Sequence, residues 1–291
     1  MIFDRVSFSL AAAISSFLLF ASTAYAGGND FKLERLCTDS VCNQAAIDDF
    51  KALARSYGAL VAPMHFQPAS TIGQEGFEIG VETKLSFATK NASYWKALNK
   101  NNTSTPTAAD TEGNYPAPDL FSTVQLSMRK GLPFSLEVEG VFNWLVDSQI
   151  FYVGAGLRWA ITEGWWFLPD LSIRGHVGTI VGASQIAMIN VNVDAALSYT
   201  WGLGGVVSIT PYAGYSLLVN SSTSHPVVVY KNQSTCTEAD CTFEHVFRRE
   251  NQFVSRGFVG FQLKAQYFIF DAEGEFGKDV KSLGLKIGAL F

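Results

Sequence analysis

Apolar and polar residues alternate along most of the chain from residue 77 onward. The last eleven residues, 281–291, show the pattern clearly, because small or charged residues separate the apolar ones, with Leu290 as the exception. One face carries Leu283, Leu285, Ile287, Ala289 and Phe291. A period of two predicts a β-strand with one apolar face.

Nine earlier stretches repeat this alternation, so the sequence predicts ten strands between residues 77 and 291. Short turns are expected at 130–133, 162–164, 200–205 and near 266–267. The intervening connections are expected at 89–118, 146–149, 178–187, 220–252 and 277–281. A twelve-strand alternative stays open if residues 59–76 supply a hairpin, although Pro63 and Pro68 interrupt that stretch.

Two rival folds are disfavoured. Residues 195–227 contain no charged residue, but Pro211, several glycines and the period of two argue against a membrane helix there. A soluble β-sandwich also alternates, yet its strands are typically about 5–6 residues long, which is shorter than these.

The amphipathic strand that ends in Phe291 resembles the closing strand of Gram-negative outer-membrane β-barrels. Eleven residues at a tilt near 40° rise about 27–29 Å, which spans the roughly 25 Å apolar band of such barrels. The resemblance covers about residues 77–291. It implies an all-β fold, a transmembrane antiparallel up-and-down barrel with a short N-terminal helical segment, in the cell outer membrane. It also implies that Phe291 is the insertion signal, that short turns face the periplasm, and that long connections face outward.

The N-terminus reads as a secretory signal peptide over residues 1–26. Arg5 precedes an apolar run at 6–21, and Ala24 and Ala26 form a small-x-small cleavage pattern. Because Asp4 weakens the charged region, an uncleaved anchor is the alternative. Residues 27–76 are predicted to form a periplasmic or plugging segment. It contains one helix at about 40–57, capped by Asp39 or Ser40 and ended by Gly58.

Composition supports this class. Only 16% of the residues are charged, whereas about 25% is usual for a soluble domain, and the chain holds 23 Phe. The net charge of −5 argues against a nucleic-acid partner. The expected partners are outer-membrane lipid and the barrel-insertion machinery, and connections 89–118 and 220–252 are candidate sites for an extracellular ligand.

Four cysteines form two equally spaced pairs, Cys37 with Cys42 and Cys236 with Cys241. In an oxidising compartment two local disulfides are expected. A shared metal site is disfavoured, because the pairs lie far apart in sequence and lack a nearby histidine pair. No metal and no cofactor are expected.

If the apolar faces meet lipid, the opposite faces line the lumen. The predicted lumen-lining residues are Glu78, Glu82, Lys84, Arg129, Glu137, Glu139, Arg158, Asp170, Arg174, Asp194, Arg256, Lys264, Asp271, Glu273, Glu275 and Lys286. Nine are acidic and seven are basic, which predicts a paired network that holds a narrow barrel closed. A polar conduit is the alternative.

The predicted function is a narrow or gated channel for a small or apolar solute, with the N-terminal helix as its gate. A closed structural or interaction barrel that acts through its long loops is the alternative. An outer-membrane hydrolase is a second alternative, but the chain is not expected to be an enzyme. Asp170 and Asp194 lie too deep to orient His176, so no catalytic residues are assigned.

Overall fold

The computed structural model describes residues 27–37, 42–89, 92–98, 120–165, 168–203, 206–225, 227–230, 241–244 and 247–291. The predicted signal peptide and most of connection 89–118 lie outside these residues. So does Cys236.

Ten strands form a closed antiparallel barrel, as predicted. They are β1 (Phe77–Ala88), β2 (Phe121–Leu132), β3 (Leu136–Leu145), β4 (Phe151–Ala160), β5 (Asp170–Val181), β6 (Ile186–Ser198), β8 (Val207–Ser224), β11 (Glu250–Ala265), β12 (Phe268–Gly277) and β13 (Val280–Leu290). Each strand pairs with the next, and β13 closes the barrel against β1. Three short strands stand outside this wall: β7 (Trp201–Leu203) pairs with β8, and β9 (Val227–Tyr230) pairs with β10 (Cys241–Glu244).

The two ends of the barrel differ. The turn end holds Phe291 and connections 133–135, 161–169, 199–206 and 266–267. The loop end holds the strand ends that are joined by connections 89–120, 146–150, 182–185, 225–249 and 278–279. Both long connections, 89–120 and 225–249, therefore join strands at the end opposite the C-terminus, as the resemblance implied.

The outer surface is apolar where the strands face outward. Val81, Leu157, Leu217 and Ile287 are among many large apolar side chains that are half or more exposed. Water-soluble proteins do not carry a continuous apolar belt around a closed sheet, because so large an exposed apolar area would cause aggregation in water. This is the surface of an outer-membrane barrel, and it agrees with the outer-membrane location predicted from the sequence.

No helix among the described residues is long and apolar enough to cross a membrane.

One predicted connection was wrong, and one open alternative is settled. The long connection predicted at 220–252 is shorter, because β8 continues to Ser224 and pairs with the start of β11, with Glu250 opposite Ser222. Backbone ladder bonds do not depend on side-chain polarity, so the strands extend past the apolar belt. Residues 59–76 supply no hairpin, which excludes the twelve-strand alternative.

The N-terminal segment lies inside the barrel and runs from the loop end to the turn end. The Asn29 N–H donates to the Asp147 carbonyl at the loop end (3.0 Å), and the Gly131 N–H donates to the Gly76 carbonyl at the turn end (3.0 Å). Between them come a 3₁₀ helix, Leu33–Leu36, the helix α1, Gln44–Val61, and an irregular stretch at 62–76. We call residues 62–76 the luminal segment.

Helix α1 starts and ends later than predicted. The Asn43 side chain caps its first turn by accepting from the Ala46 N–H (3.1 Å), whereas the predicted caps, Asp39 and Ser40, lie outside the described residues. Gly58 does not end the helix. A Cβ there would collide with the Asn220 amide, so this glycine permits a close approach of the barrel wall.

An apolar core fills the lumen at the loop end. The apolar face of α1 packs there against inward residues of the wall and against a second 3₁₀ helix, Ser93–Ala97. Phe50, Leu53 and Leu60 of the helix have no exposed surface. The wall contributes Phe121, Val141, Leu145, Ile150, Tyr152, Ile180, Ile186, Met188, Leu218, Val254 and Val280.

Candidate functional site: the occupied lumen

The C-terminal end of α1 is held by donors from the barrel wall. The Lys84 ammonium donates to the carbonyls of Ala59 and Ala62, each at 2.9 Å. The last carbonyls of a helix have no partner within the helix, and a cation is favoured beside them. Lys84 thus both satisfies and neutralises the buried end of this helix.

Three asparagines from separate strands complete this arrangement, which we call the asparagine latch: Asn143, Asn190 and Asn220. Their amide groups donate to the carbonyls of Val61 (2.9 Å), Gly58 (3.2 Å) and Ala54 (2.5 Å). All three side chains are buried. The Val61 carbonyl lies at the helix end, where helical donors are missing, so the Asn143 amide supplies a bond whose absence would be costly. The Gly58 carbonyl also accepts from the Ala62 N–H (3.0 Å), so there the latch adds a second donor from the wall.

The upper part of the luminal segment is bound through its backbone. The Glu273 carboxylate accepts from the His65 N–H (3.0 Å) and the Phe66 N–H (2.6 Å). The Arg174 guanidinium donates to the carbonyls of His65 and Met64, both at 3.4 Å. Charged side chains of the wall therefore take the place of a strand partner for this irregular stretch.

The lower part is bound in the same way. The Arg158 guanidinium donates to the Pro68 carbonyl, and the Ala69 N–H donates to the Ser198 hydroxyl (3.0 Å). Further bonds join the Gln67 amide to Glu139 (3.0 Å), the Thr71 N–H to Glu163 (2.7 Å) and the Ile72 N–H to Glu137 (3.2 Å).

Ion pairs link the same wall residues to one another. Arg129 bridges Glu78 and Glu137, and Glu137 also pairs with Arg158 at 2.8 Å. Lys286 pairs with Glu78 at 2.7 Å. On other strands Arg174 forms ion pairs with Glu139 and Asp194, and Arg256 forms one with Glu275. Buried charges need such partners, because an unpaired one costs several kcal/mol.

The structure places the sixteen predicted lumen-lining residues as follows. Thirteen are buried: Glu78, Glu82, Lys84, Arg129, Glu137, Arg158, Arg174, Asp194, Arg256, Asp271, Glu273, Glu275 and Lys286. Glu139 is partly buried and pairs with Arg174. Asp170 is the first residue of β5 and accepts from the Gly164 N–H of the preceding connection (3.3 Å), and Lys264 is partly exposed near the turn end.

The two buried histidines are not brought to one carboxylate with catalytic geometry. His176 lies within 3.3 Å of the Tyr152 hydroxyl. The Asp194 carboxylate accepts instead from Arg174 (2.7 Å) and lies 3.5 Å from His65. Among the described residues no group of His, Cys, Asp and Glu is arranged to hold a metal ion.

Cys37 and Cys42 form the predicted disulfide near the loop end. The Cys236–Cys241 pairing stays a prediction, because Cys236 lies outside the described residues.

Ion pairs fasten the N-terminal segment to the loop-end connections. Arg55 of α1 binds Asp279 through two bonds (2.7 and 3.1 Å), and Asp49 pairs with Lys96 at 3.2 Å. Beside them the Tyr94 hydroxyl lies 3.0 Å from the Ser56 hydroxyl. Burial raises the pKa of Tyr94, because the phenolate would lose its hydration there.

Sequence reasoning missed the apolar residues on the inward face. Val141 and Leu145 share the inward parity of Glu137 and Asn143, and Leu218 shares that of Asn220. Their signal was present, since inward positions turn apolar toward the loop end of several strands. That change from polar to apolar inward residues indicates that an apolar segment packs inside the barrel near the loop end.

Comparisons with known proteins identify the class of fold and no closer relative. No protein-family model matches the chain, and no curated protein matches it. The solved structures it resembles are Gram-negative outer-membrane barrels. The N-terminal β-barrel domain of Pseudomonas aeruginosa OprF is 15% identical, with 75% of this chain and 99% of that chain covered and a TM-score of 0.27.

Two further matches belong to the same class. Ail, the attachment invasion locus protein of Yersinia pestis, is 13% identical, with 75% and 99% covered and a TM-score of 0.26. An outer-membrane channel from Pseudomonas putida F1 is 11% identical, with 79% and 100% covered and a TM-score of 0.33. The class resemblance predicted from the sequence agrees with these matches, which at such TM-scores carry no functional assignment.

Proposed function

We propose that this protein is a closed outer-membrane barrel that works through the surface at its loop end rather than as an open pore. One observation carries the proposal: α1 and the luminal segment occupy the lumen along its length, with the helix in an apolar core. This choice favours the second of the two main functions considered from the sequence.

The magnitude of apolar burial supports a permanent seal over a spontaneous gate. Phe50, Leu53 and Leu60 are completely buried. Fully burying such side chains contributes about 1.5–3 kcal/mol each, so these three alone contribute about 5–9 kcal/mol. Unassisted departure of the helix would then occur in fewer than about one molecule in a thousand.

The loop-end surface is held in place by the same segment. The Arg55–Asp279 and Asp49–Lys96 pairs tie α1 to two different connections, and a β-bridge joins Phe31 to Leu98. With the C-terminus in the periplasm, the loop end faces the outside of the cell. These contacts then hold its connections in fixed positions as an extracellular binding surface. The candidate ligand sites predicted at 89–118 and 220–252 fall in the connections that join strands at this end, now bounded as 89–120 and 225–249. That these connections bind an extracellular ligand is part of this proposal.

A cross-linking experiment tests closure. The Ala69 backbone contacts the Ser198 side chain, so the double variant Ala69→Cys/Ser198→Cys can lock the luminal segment to the wall. Single-channel recordings in planar bilayers should be silent for the native chain and for both the oxidised and reduced variant. Current steps in the native chain would overturn the proposal of a closed barrel. So would current steps in the reduced variant that disappear when the variant is oxidised. The native chain under the same reductant controls for its own disulfides.

A channel opened by a partner is the second candidate, and the polar luminal segment favours it. Its contacts are hydrogen bonds to charged groups, and a polar partner or solute that offers the same donors and acceptors could replace them. Each bond contributes about 1.5–3 kcal/mol net of exchange with water, so the segment leaves only when such a replacement is present. A chain that begins at Thr71 and retains heat-modifiable gel mobility would show whether the emptied wall conducts. Conductance in that chain alone would support a channel, whereas silence would leave only the closed barrel.

A further inference from the structure

A small cavity at the turn end has an unusual lining for this lumen. Its volume is about 130 Å³, which is room for a few water molecules at about 30 Å³ each. Two cations line it, Arg129 and Lys264, together with hydroxyl groups that include Thr200, Ser208 and Thr210. No Asp or Glu among the described residues lines it, although carboxylates outnumber cations in the predicted lumen.

Lys264 is the inward cation that the wall leaves unpaired. The other six predicted lumen-lining cations have a carboxylate within 4.0 Å: Lys84, Arg129, Arg158, Arg174, Arg256 and Lys286. Among the described residues, no ion pair and no side-chain hydrogen bond involves Lys264. Its three ammonium donors are thus available to a ligand.

Strand register brings further donors to the same place. Lys264 lies opposite Ser208, and Gln262 lies opposite Thr210 on the neighbouring strand β8. The Thr210 hydroxyl lies 3.0 Å from that of Thr200. Gln262 donates to one oxygen of Asp271 on β12 (3.0 Å), whereas the other oxygen of this buried carboxylate has no hydrogen-bond partner among the described residues. Asp271 itself does not line the cavity.

The remaining side of the cavity comes from the luminal segment. Pro68, Ser70, Thr71 and Ile72 line it opposite the wall. A ligand in this cavity therefore touches both the barrel and the segment that fills it. By mass action, such a ligand stabilises the seated segment, because the cavity has this lining only when the segment is in place.

We propose that this cavity binds a small oxyanion, such as phosphate or a short carboxylate, at the turn end of the lumen. The ammonium of Lys264 supplies the charge, and the hydroxyls supply hydrogen bonds to the oxygen atoms. The site exists in the seated barrel, whichever function the barrel serves.

Chemical protection of Lys264 in the full-length refolded protein tests the site. Lysines are acetylated with an N-hydroxysuccinimide ester, with and without inorganic phosphate at constant ionic strength, and the rate at each lysine is read by peptide mass spectrometry. At a phosphate concentration ten times its Kd, the rate at Lys264 should fall about tenfold. The exposed Lys278 and Lys281 are internal controls whose rates should not change.

Matched variants supply a second readout. Phosphate should raise the unfolding midpoint of the native chain and of Lys281→Met, and should leave that of Lys264→Met unchanged. Equal acetylation rates at Lys264 across the phosphate titration would overturn the site. So would an equal midpoint shift in Lys264→Met and the native chain.

Discussion

Replacing Lys84 by methionine should release the C-terminal end of α1 while the barrel stays closed. Lys84 is 4% exposed, and its ammonium donates to two carbonyls at the end of the helix. Methionine keeps most of the side-chain volume but removes both bonds and the favourable charge beside the helix end.

The expected loss follows from these two bonds. A hydrogen bond to a charged group contributes about 1.5–3 kcal/mol, so two contribute about 3–6 kcal/mol. Removing the buried lysine also removes its desolvation cost, which places the net loss near the lower figure, about 3 kcal/mol. Glu275 does not become an orphan, because Arg256 pairs with it at 2.7 Å.

Native-state hydrogen exchange read by mass spectrometry measures this loss locally. A decrease of about 3 kcal/mol corresponds to exchange about 100-fold faster in peptides from α1. Peptides from the barrel strands should keep their rates, because their ladder bonds are untouched. The outward-facing Lys281→Met, which removes a lysine without a partner among the described residues, should change neither set.

Two results would refute the reasoning. Exchange in α1 that stays within about threefold of the native rate would mean that Lys84 does not hold the helix. An equal acceleration in α1 and in the strands would mean that Lys84 supports the barrel as a whole.

Three further changes probe separate parts of the occupied lumen. Glu273→Gln replaces a charged acceptor of two backbone N–H groups by a neutral one, so hydrogen exchange in the luminal segment should become about tenfold faster. The control Glu163→Gln weakens a contact nearer the turn end and should leave the exchange rates of residues 64–66 unchanged. Gly58→Ala should destabilise helix docking by about 1–3 kcal/mol, because its Cβ meets the Asn220 amide, and a double-mutant cycle with Asn220→Ala should show coupling; simple additivity would contradict the close approach. Burial raises the pKa of Tyr94 above its ordinary value of 10.0, so above pH 10.0 the folded protein keeps a proton that the unfolded chain loses, and the stability from this tyrosine is present below pH 10.0 and lost as pH rises above it. Urea unfolding at about pH 9 and about pH 11 should therefore show that Tyr94→Phe loses less free energy of unfolding between the two pH values than the native chain does, and equal losses would contradict the assignment.

Part of the candidate site was predictable and part was not. The inward direction of Glu137, Arg174 and Lys286 follows from strand parity, which is a local property of the chain. Their partners are not local: Arg174 contacts the backbone at His65, 109 residues away, and Lys286 contacts Phe66 across 220 residues. Pairs at such separations leave no mark in the periodicity of either strand.

The asparagine latch shows the same limit. Asn143 and Asn190 could be assigned to the inward face from the sequence, and nothing nearby identifies a helix carbonyl as their acceptor. Gly58 was read as a helix end because glycine is common there, whereas its function is to let the wall approach. Local propensity was overridden by a contact that only the assembled barrel creates.

The sequence by itself determined the ten-strand wall, its apolar belt and the charged face within, because alternation with a period of two is set residue by residue along each strand. Only the tertiary structure decided that residues 27–76 run through the lumen and that the wall binds their backbone. It also decided that Lys264 alone among the predicted inward cations lacks a carboxylate within the described residues. The reason is physical: a closed barrel brings distant strands around one axis, and whatever occupies that axis meets all of them at once.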